Sequence, residues 1–140
     1  MHGLAARDEG HALIAAINYA SSLVVLKQFE EAKSLMRKTM PVALRVLGNC
    51  HENTLKTQWS YAVALYEDPA ATLDDRREAA TRLEELERTA RRVLGASHPT
   101  AVRIGRDLKT MSRATLRTRE YLGLLIVPVA IAIIAWLWQY

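Results

Sequence analysis

Few residues in this chain are of a type that does chemistry. His51 and His98 are imidazoles that could bind a metal or move a proton, and Cys50 stands beside His51 as a nucleophile beside a base. Neighbouring residues in a turn point apart, however, and no third residue is placed to orient the imidazole. His2 and His11 are too remote in pattern to complete a ligand set with either histidine. Paired carboxylates occur at Asp74-Asp75 and in Glu84-Glu85-Leu86-Glu87. Acids at a helix start suit the dipole, and Glu84 to Arg88 and Glu87 to Arg91 have ion-pair spacing, so a solvated charged face accounts for them. No phosphate-cradling glycine loop, nucleotide fingerprint or zinc motif is present. The expectation is a non-enzyme with no catalytic residue, no metal and no cofactor.

The two histidines instead mark a repeat. Arg45/Arg92, Val46/Val93, Leu47/Leu94, Gly48/Gly95 and His51/His98 all stand at one constant offset. Equivalent positions favour a hydrogen bond made by each histidine across its own inter-helix turn. Upstream, Tyr19-Ala20 aligns with Tyr61-Ala62 and Leu23 with Leu65 at a slightly shorter offset, the difference falling in the turn around Pro69 to Asp75. Turns absorb insertions that helix faces do not. Small residues at Ala20/Ala62 and Ala32/Ala79 would let the helices of a pair approach closely.

Apolar spacings of three and four residues predict helices throughout, with Val46 and Val93 on the dry faces of the second and fourth, and no segment alternates long enough to be a strand. Residues 1–10 read as a leader without strong structure. A helical repeat domain is expected over 11–119, with units at about 11–48 and 54–95 and a closing helix at about 101–119. Pro41 falls inside the second helix and predicts a kink. Gly48 and Gly95 supply helix stops. Thr54 is expected to cap the third helix, Thr72 or Asp74 the fourth, and Pro99 to begin the fifth. The expected fold is all-α, with antiparallel helix pairs stacked as a short α-solenoid.

These stretches resemble the tetratricopeptide (TPR) repeats of the kinesin light chain type. The matching elements are Asn18-Tyr19-Ala20, Glu31-Ala32 and Val46-Leu47-Gly48 with His51 in the first unit. In the second they are Ser60-Tyr61-Ala62, Glu78-Ala79 and Val93-Leu94-Gly95 with His98-Pro99-Thr100. The first unit departs in having Glu52 after His51 where the family has proline. The resemblance implies a concave groove, lined by the first helix of each pair, that receives a protein or peptide partner. By analogy its residues are Asn18, Ser22, Lys56, Gln58, Trp59 and Arg103. Trp59 suits a binding surface, since it pairs an apolar face with a donor, and equally suits a core.

The formal net charge is +4, half the residues are hydrophobic, and mean hydropathy is near zero. Such a balance implies segregation of charged from apolar stretches. Basic residues concentrate between Arg103 and Arg119. Aromatics are not interleaved there, so no nucleic acid is expected. From Tyr121 to Tyr140 no residue is charged, which is enough helix to cross the roughly 30 Å core of a bilayer. Arg113, Arg117 and Arg119 flank the run, and Tyr121, Trp136 and Trp138 mark its ends as interfacial aromatics do. The expectation is a transmembrane or tail-anchor helix at 121–140, single-pass, with the N-terminal domain cytoplasmic. The single cysteine fits a reducing compartment, and the acids Asp8 and Glu9 argue against a secretory signal. Function is read as a non-enzymatic protein–protein interaction scaffold held at a membrane. The alternative is a soluble, cytoplasmic fragment of a larger kinesin-light-chain-like scaffold with no membrane role.

Overall fold

The computed structural model describes the backbone of residues 2–138 and the side chains of residues 7–114, 124, 126–134 and 136. Every element among the described residues is helical: α1 (His2–Val25), α2 (Phe29–Val46), α3 (Glu52–Glu67), α4 (Leu73–Leu94) and α5 (Pro99–Trp138). The chain divides into two compact units, Met1–Leu108 and Lys109–Tyr140.

Within the first unit, α1 packs on α2, α3 packs on α4, and α3 also packs on both members of the first pair. The run of apolar contacts makes α1 and α2 antiparallel. Ala20, Leu23 and Val24 near the end of α1 cluster with Phe29, Ala32 and Met36 at the start of α2. Leu13 and Ile17, further back along α1, meet Ala43 late in α2. The small residues at the repeat positions, Ala20, Ala62, Ala32 and Ala79, are all fully buried. A methyl group there lets two helix backbones close up while the neighbouring Leu23, Met36, Leu55 and Leu83 fill the remaining space.

The turns follow from local chemistry. After α1 the chain reverses at Lys27, a non-glycine residue at φ 60°. The Gln28 N–H donates to the Leu23 carbonyl and the Lys27 N–H to that of Val24, which is the double bond of a Schellman closure. Gly48 (φ 86°) and Gly95 (φ 96°) do the equivalent work after α2 and α4, where a left-handed backbone favours glycine. Thr72 caps α4 in a reciprocal box: its hydroxyl accepts from the Asp75 N–H, while the Asp75 carboxylate accepts from the Thr72 N–H. Those bonds from Thr72 hold the Asp75 carboxyl below the usual range.

One ion pair ties α2 to the turn that follows α3. The Lys33 ammonium donates to Asp68 Oδ2 at 2.6 Å, and both residues are buried. Asp68 Oδ1 also accepts from the Ala70 N–H at 2.8 Å, shaping the turn. The bond from Lys33, then that from Ala70, holds the Asp68 carboxyl below the ordinary aspartate range. Desolvation alone would lower the Lys33 ammonium, but Asp68 and Glu30 together raise it above its ordinary value.

Three local expectations are corrected. Residues 2–10 belong to α1, because Leu4, Ala5 and Ala6 favour a helix and the glycines at 3 and 10 cost only about 1 kcal/mol each. His51, not Thr54, caps α3; Thr54 is instead buried one turn in, and its Oγ1 has no hydrogen-bond partner among the described residues. Val46 and Val93, expected on dry faces, are 39% and 40% exposed. Pro41 lies inside α2 as expected, on its exposed side, and the helix continues to Val46.

The second unit is the continuation of α5 from Lys109. From Leu124 onward its described apolar side chains are exposed: Leu124 is 71% accessible, and Ile126, Val127, Val129, Ile131, Ile133, Ile134 and Trp136 all exceed half. Pro128 lies within the helix. Among the described residues no helix is long and apolar enough to cross a membrane. Several side chains of the 121–140 run, including Tyr121 and Trp138, lie outside the described residues, as do those of Arg117 and Arg119.

Candidate partner-binding cleft

The first helix of each pair and the start of α5 border one cleft of about 420 Å³. Trp59 of α3 lines it. It is only half-buried, since the dry face of α3 is carried by Leu55, Ala62, Ala64 and Leu65. Its indole N–H donates to Asp107 Oδ2 at 2.8 Å. The Arg103 guanidinium lies over the same ring, 4.9 Å from its centroid. One turn of α5 therefore holds the indole twice, by its edge through Asp107 and by its face through Arg103. A side chain fixed in this way loses little further freedom when a ligand covers it.

The remaining walls are mixed. Val24 and Val25 of α1 and Val63 of α3 are apolar, while Asn18, Ser21 and Ser60 supply amide and hydroxyl groups. The Ser21 and Ser60 hydroxyls lie 3.2 Å apart and bond each other. Lys27 and Lys56 bring cations and Glu67 an anion. Lys56 pairs with Glu52 at 2.9 Å, and Glu52 also accepts from the Thr100 hydroxyl at 3.0 Å. The bond from Lys56, then that from Thr100, holds the Glu52 carboxyl below its usual range. Glu52 thereby connects the start of α3 to the start of α5, the two elements that carry Trp59 and its clamp.

The two repeat histidines fix where those elements begin. His51 Nδ1 accepts from the Asn53 N–H at 3.2 Å, and His98 Nδ1 accepts from the Thr100 N–H at 3.2 Å. Each imidazole thus satisfies one of the unpaired donors at a helix start. That position makes them structural caps. No group of three His, Cys, Asp or Glu side chains among the described residues could hold a metal ion. Cys50 is exposed and free.

Of the six groove residues expected from sequence, Asn18, Lys56, Trp59 and Arg103 border this cleft. Ser22 does not; its hydroxyl donates to the Asn18 carbonyl on the exposed side of α1. Gln58 lies elsewhere, bonded to Asn49 Oδ1 at 3.2 Å beside a separate hollow with Met40, Leu44 and Arg82. Both misses are shifts of one residue from cleft-lining neighbours, Ser21 and Trp59, and one residue turns a helix by about 100°. Asp107 was overlooked although its spacing from Arg103 puts the two on one face. Of the expected membrane flank, Arg113 and Trp136 are exposed, while Arg117, Arg119, Tyr121 and Trp138 have side chains outside the described residues.

The cleft offers a fixed, half-exposed aromatic surface, cations, carboxylates and hydrogen-bonding groups. No protein-family model, no characterised protein and no solved structure matches this chain. The likeness to kinesin-light-chain-type repeats rests on the motif residues themselves.

Proposed function

We propose that this chain is a non-enzymatic protein–protein interaction module of TPR type, which takes a segment of a partner protein into the Trp59 cleft and is held at a membrane by residues 121–140. The observation that carries the reading is the doubly held indole: Asp107 and Arg103 keep a large amphipathic side chain in a fixed position and half-exposed. A side chain needed only for packing gains nothing from remaining open to water, whereas a recognition surface requires it. The membrane half is supported by the absence of charge from Tyr121 to Tyr140 and by the exposure of the described apolar side chains there. The basic residues that precede the run orient the helical body toward the cytoplasm.

A peptide library panned on the full chain tests the cleft. Enriched peptides are expected to lose tenfold or more of their affinity in Trp59→Ala, about 1.4 kcal/mol or more, with the unfolding temperature little changed. Peptides that bind Trp59→Ala undiminished would place recognition elsewhere. The second reading, a soluble piece of a longer kinesin-light-chain-like scaffold, is favoured by the same exposed apolar run, which further repeats could cover. It predicts a chain that stays out of membranes.

A further inference from the structure

We infer that the basic turns of α5 ahead of the apolar run recognise the anionic phospholipid headgroups of the membrane face to which the chain is held; this rests on the membrane reading of residues 121–140. Between Lys109 and Glu120 there are four cations, Lys109, Arg113, Arg117 and Arg119, and one acid, Glu120. The segment is helical throughout, and Lys109 and Arg113 are exposed while Met111 between them is buried. Lys109, Arg113 and Arg117 recur every fourth position, so they fall within a stripe about 80° wide on one side of the helix. A solvated face of this kind usually alternates charge, as α4 does with its Glu78–Arg82 and Glu87–Arg91 pairs. Here one acid, Glu120, stands against four cations, and the unbalanced stretch runs directly into the uncharged one. Nucleic acid would also attract the cations, but the segment lacks the aromatics on which bases stack.

Distance grades the contributions. A helix rises 1.5 Å per residue, so Arg119 and Arg117 lie about 3 and 6 Å along the axis from Tyr121, Arg113 about 12 Å and Lys109 about 18 Å. The field of an anionic surface falls off over a Debye length of roughly 8–10 Å at physiological salt. Arg117 and Arg119 therefore act nearly in full, Arg113 in part and Lys109 hardly at all. Each cation close to such a surface strengthens attraction about fivefold. Glu120, about 1.5 Å along the axis from Tyr121, offsets one of them, so the net preference is roughly fivefold.

The test offers the full chain a mixture of two vesicle populations carrying different dyes, one of phosphatidylcholine alone and one containing phosphatidylserine as well. The share of protein floating with each is then read. The expected result is a preference of roughly fivefold for the anionic vesicles, lost in Arg117→Gln/Arg119→Gln, raised to roughly 30-fold in Glu120→Gln, reduced slightly by Arg113→Gln and unmoved by Lys109→Gln. Raising salt should flatten the wild-type preference. Equal distribution of the wild type between the two populations would overturn headgroup recognition while leaving the membrane reading intact. Flotation with neither population would sink the membrane reading itself, and this inference with it. A short single-stranded RNA bound through the same two arginines, with no vesicle preference, would reassign the basic turns to nucleic acid.

Discussion

The two units apply one helical rule to opposite ends. In the first, every third or fourth residue is apolar and turns inward, so Leu23, Met36, Leu55 and Leu83 are buried while charged residues face out. In the second, the described residues from Leu124 to Trp136 are apolar and exposed. The first pattern makes a core from a chain that water surrounds. An exposed apolar run suits an apolar medium or an apolar partner. In the function proposed above, the two units take two tasks, recognition in the helical body and attachment by the run beyond it.

That contrast can be broken or sharpened by substitution. The largest effect is expected in the body's core: Leu83→Ala or Met36→Ala should cost about 2–5 kcal/mol, read from urea unfolding of the full chain, because each leaves a cavity between fully buried neighbours. A value under 1 kcal/mol would mean that the helix pairs are loosely packed. Next comes the cross-tie. Lys33→Met should lower the urea midpoint by leaving the buried Asp68 carboxylate without its ammonium. It should also change the response to acid. The Asp68 carboxyl is held below its ordinary value, so its pairing contributes fully above the unfolded value of about 4 and is lost as pH falls through the lower folded one. Wild type should therefore lose stability on acidification below about pH 4 more steeply than Lys33→Met; parallel curves would show that the pair does not direct the acid response.

The caps should matter less. His51→Ala and His98→Ala are each expected to cost about 1 kcal/mol, whereas asparagine at either position, a good cap, should restore most of it. If alanine is harmless, the imidazoles do not cap. Smallest of all, Ile131→Ala should leave unfolding of the body within about 0.5 kcal/mol of wild type, because its side chain is 61% exposed. A larger loss would mean that the apolar run is part of the body's core.

Much of the body was legible because it depends on period and repetition. The buried alanines at positions 20, 32, 62 and 79, the glycine stops and the equivalence of the two histidines follow from aligning one half of the chain with the other, although each imidazole bonds two residues on rather than across its turn. Other features were hidden for physical reasons. Threonine is the commoner cap, so Thr54 outranked His51 until geometry showed the imidazole accepting from Asn53. The period assigns Val46 and Val93 to a face but does not say where along a helix its partner stops. Lys33 and Asp68 are joined only by the fold, and nothing local to either forecasts the other. The cleft was half legible: Trp59 was singled out by its chemistry and Arg103 by analogy, but Asp107, which fixes the indole, looked like one more surface acid.

The separation of tasks is tested most directly by alkaline extraction of membranes from cells expressing the full chain, beside a chain cut after Arg119. The account predicts that the full chain stays with the membrane and that the cut chain is released as a soluble protein. Release of both by alkali would contradict attachment through residues 121–140 and leave only the helical body with its cleft.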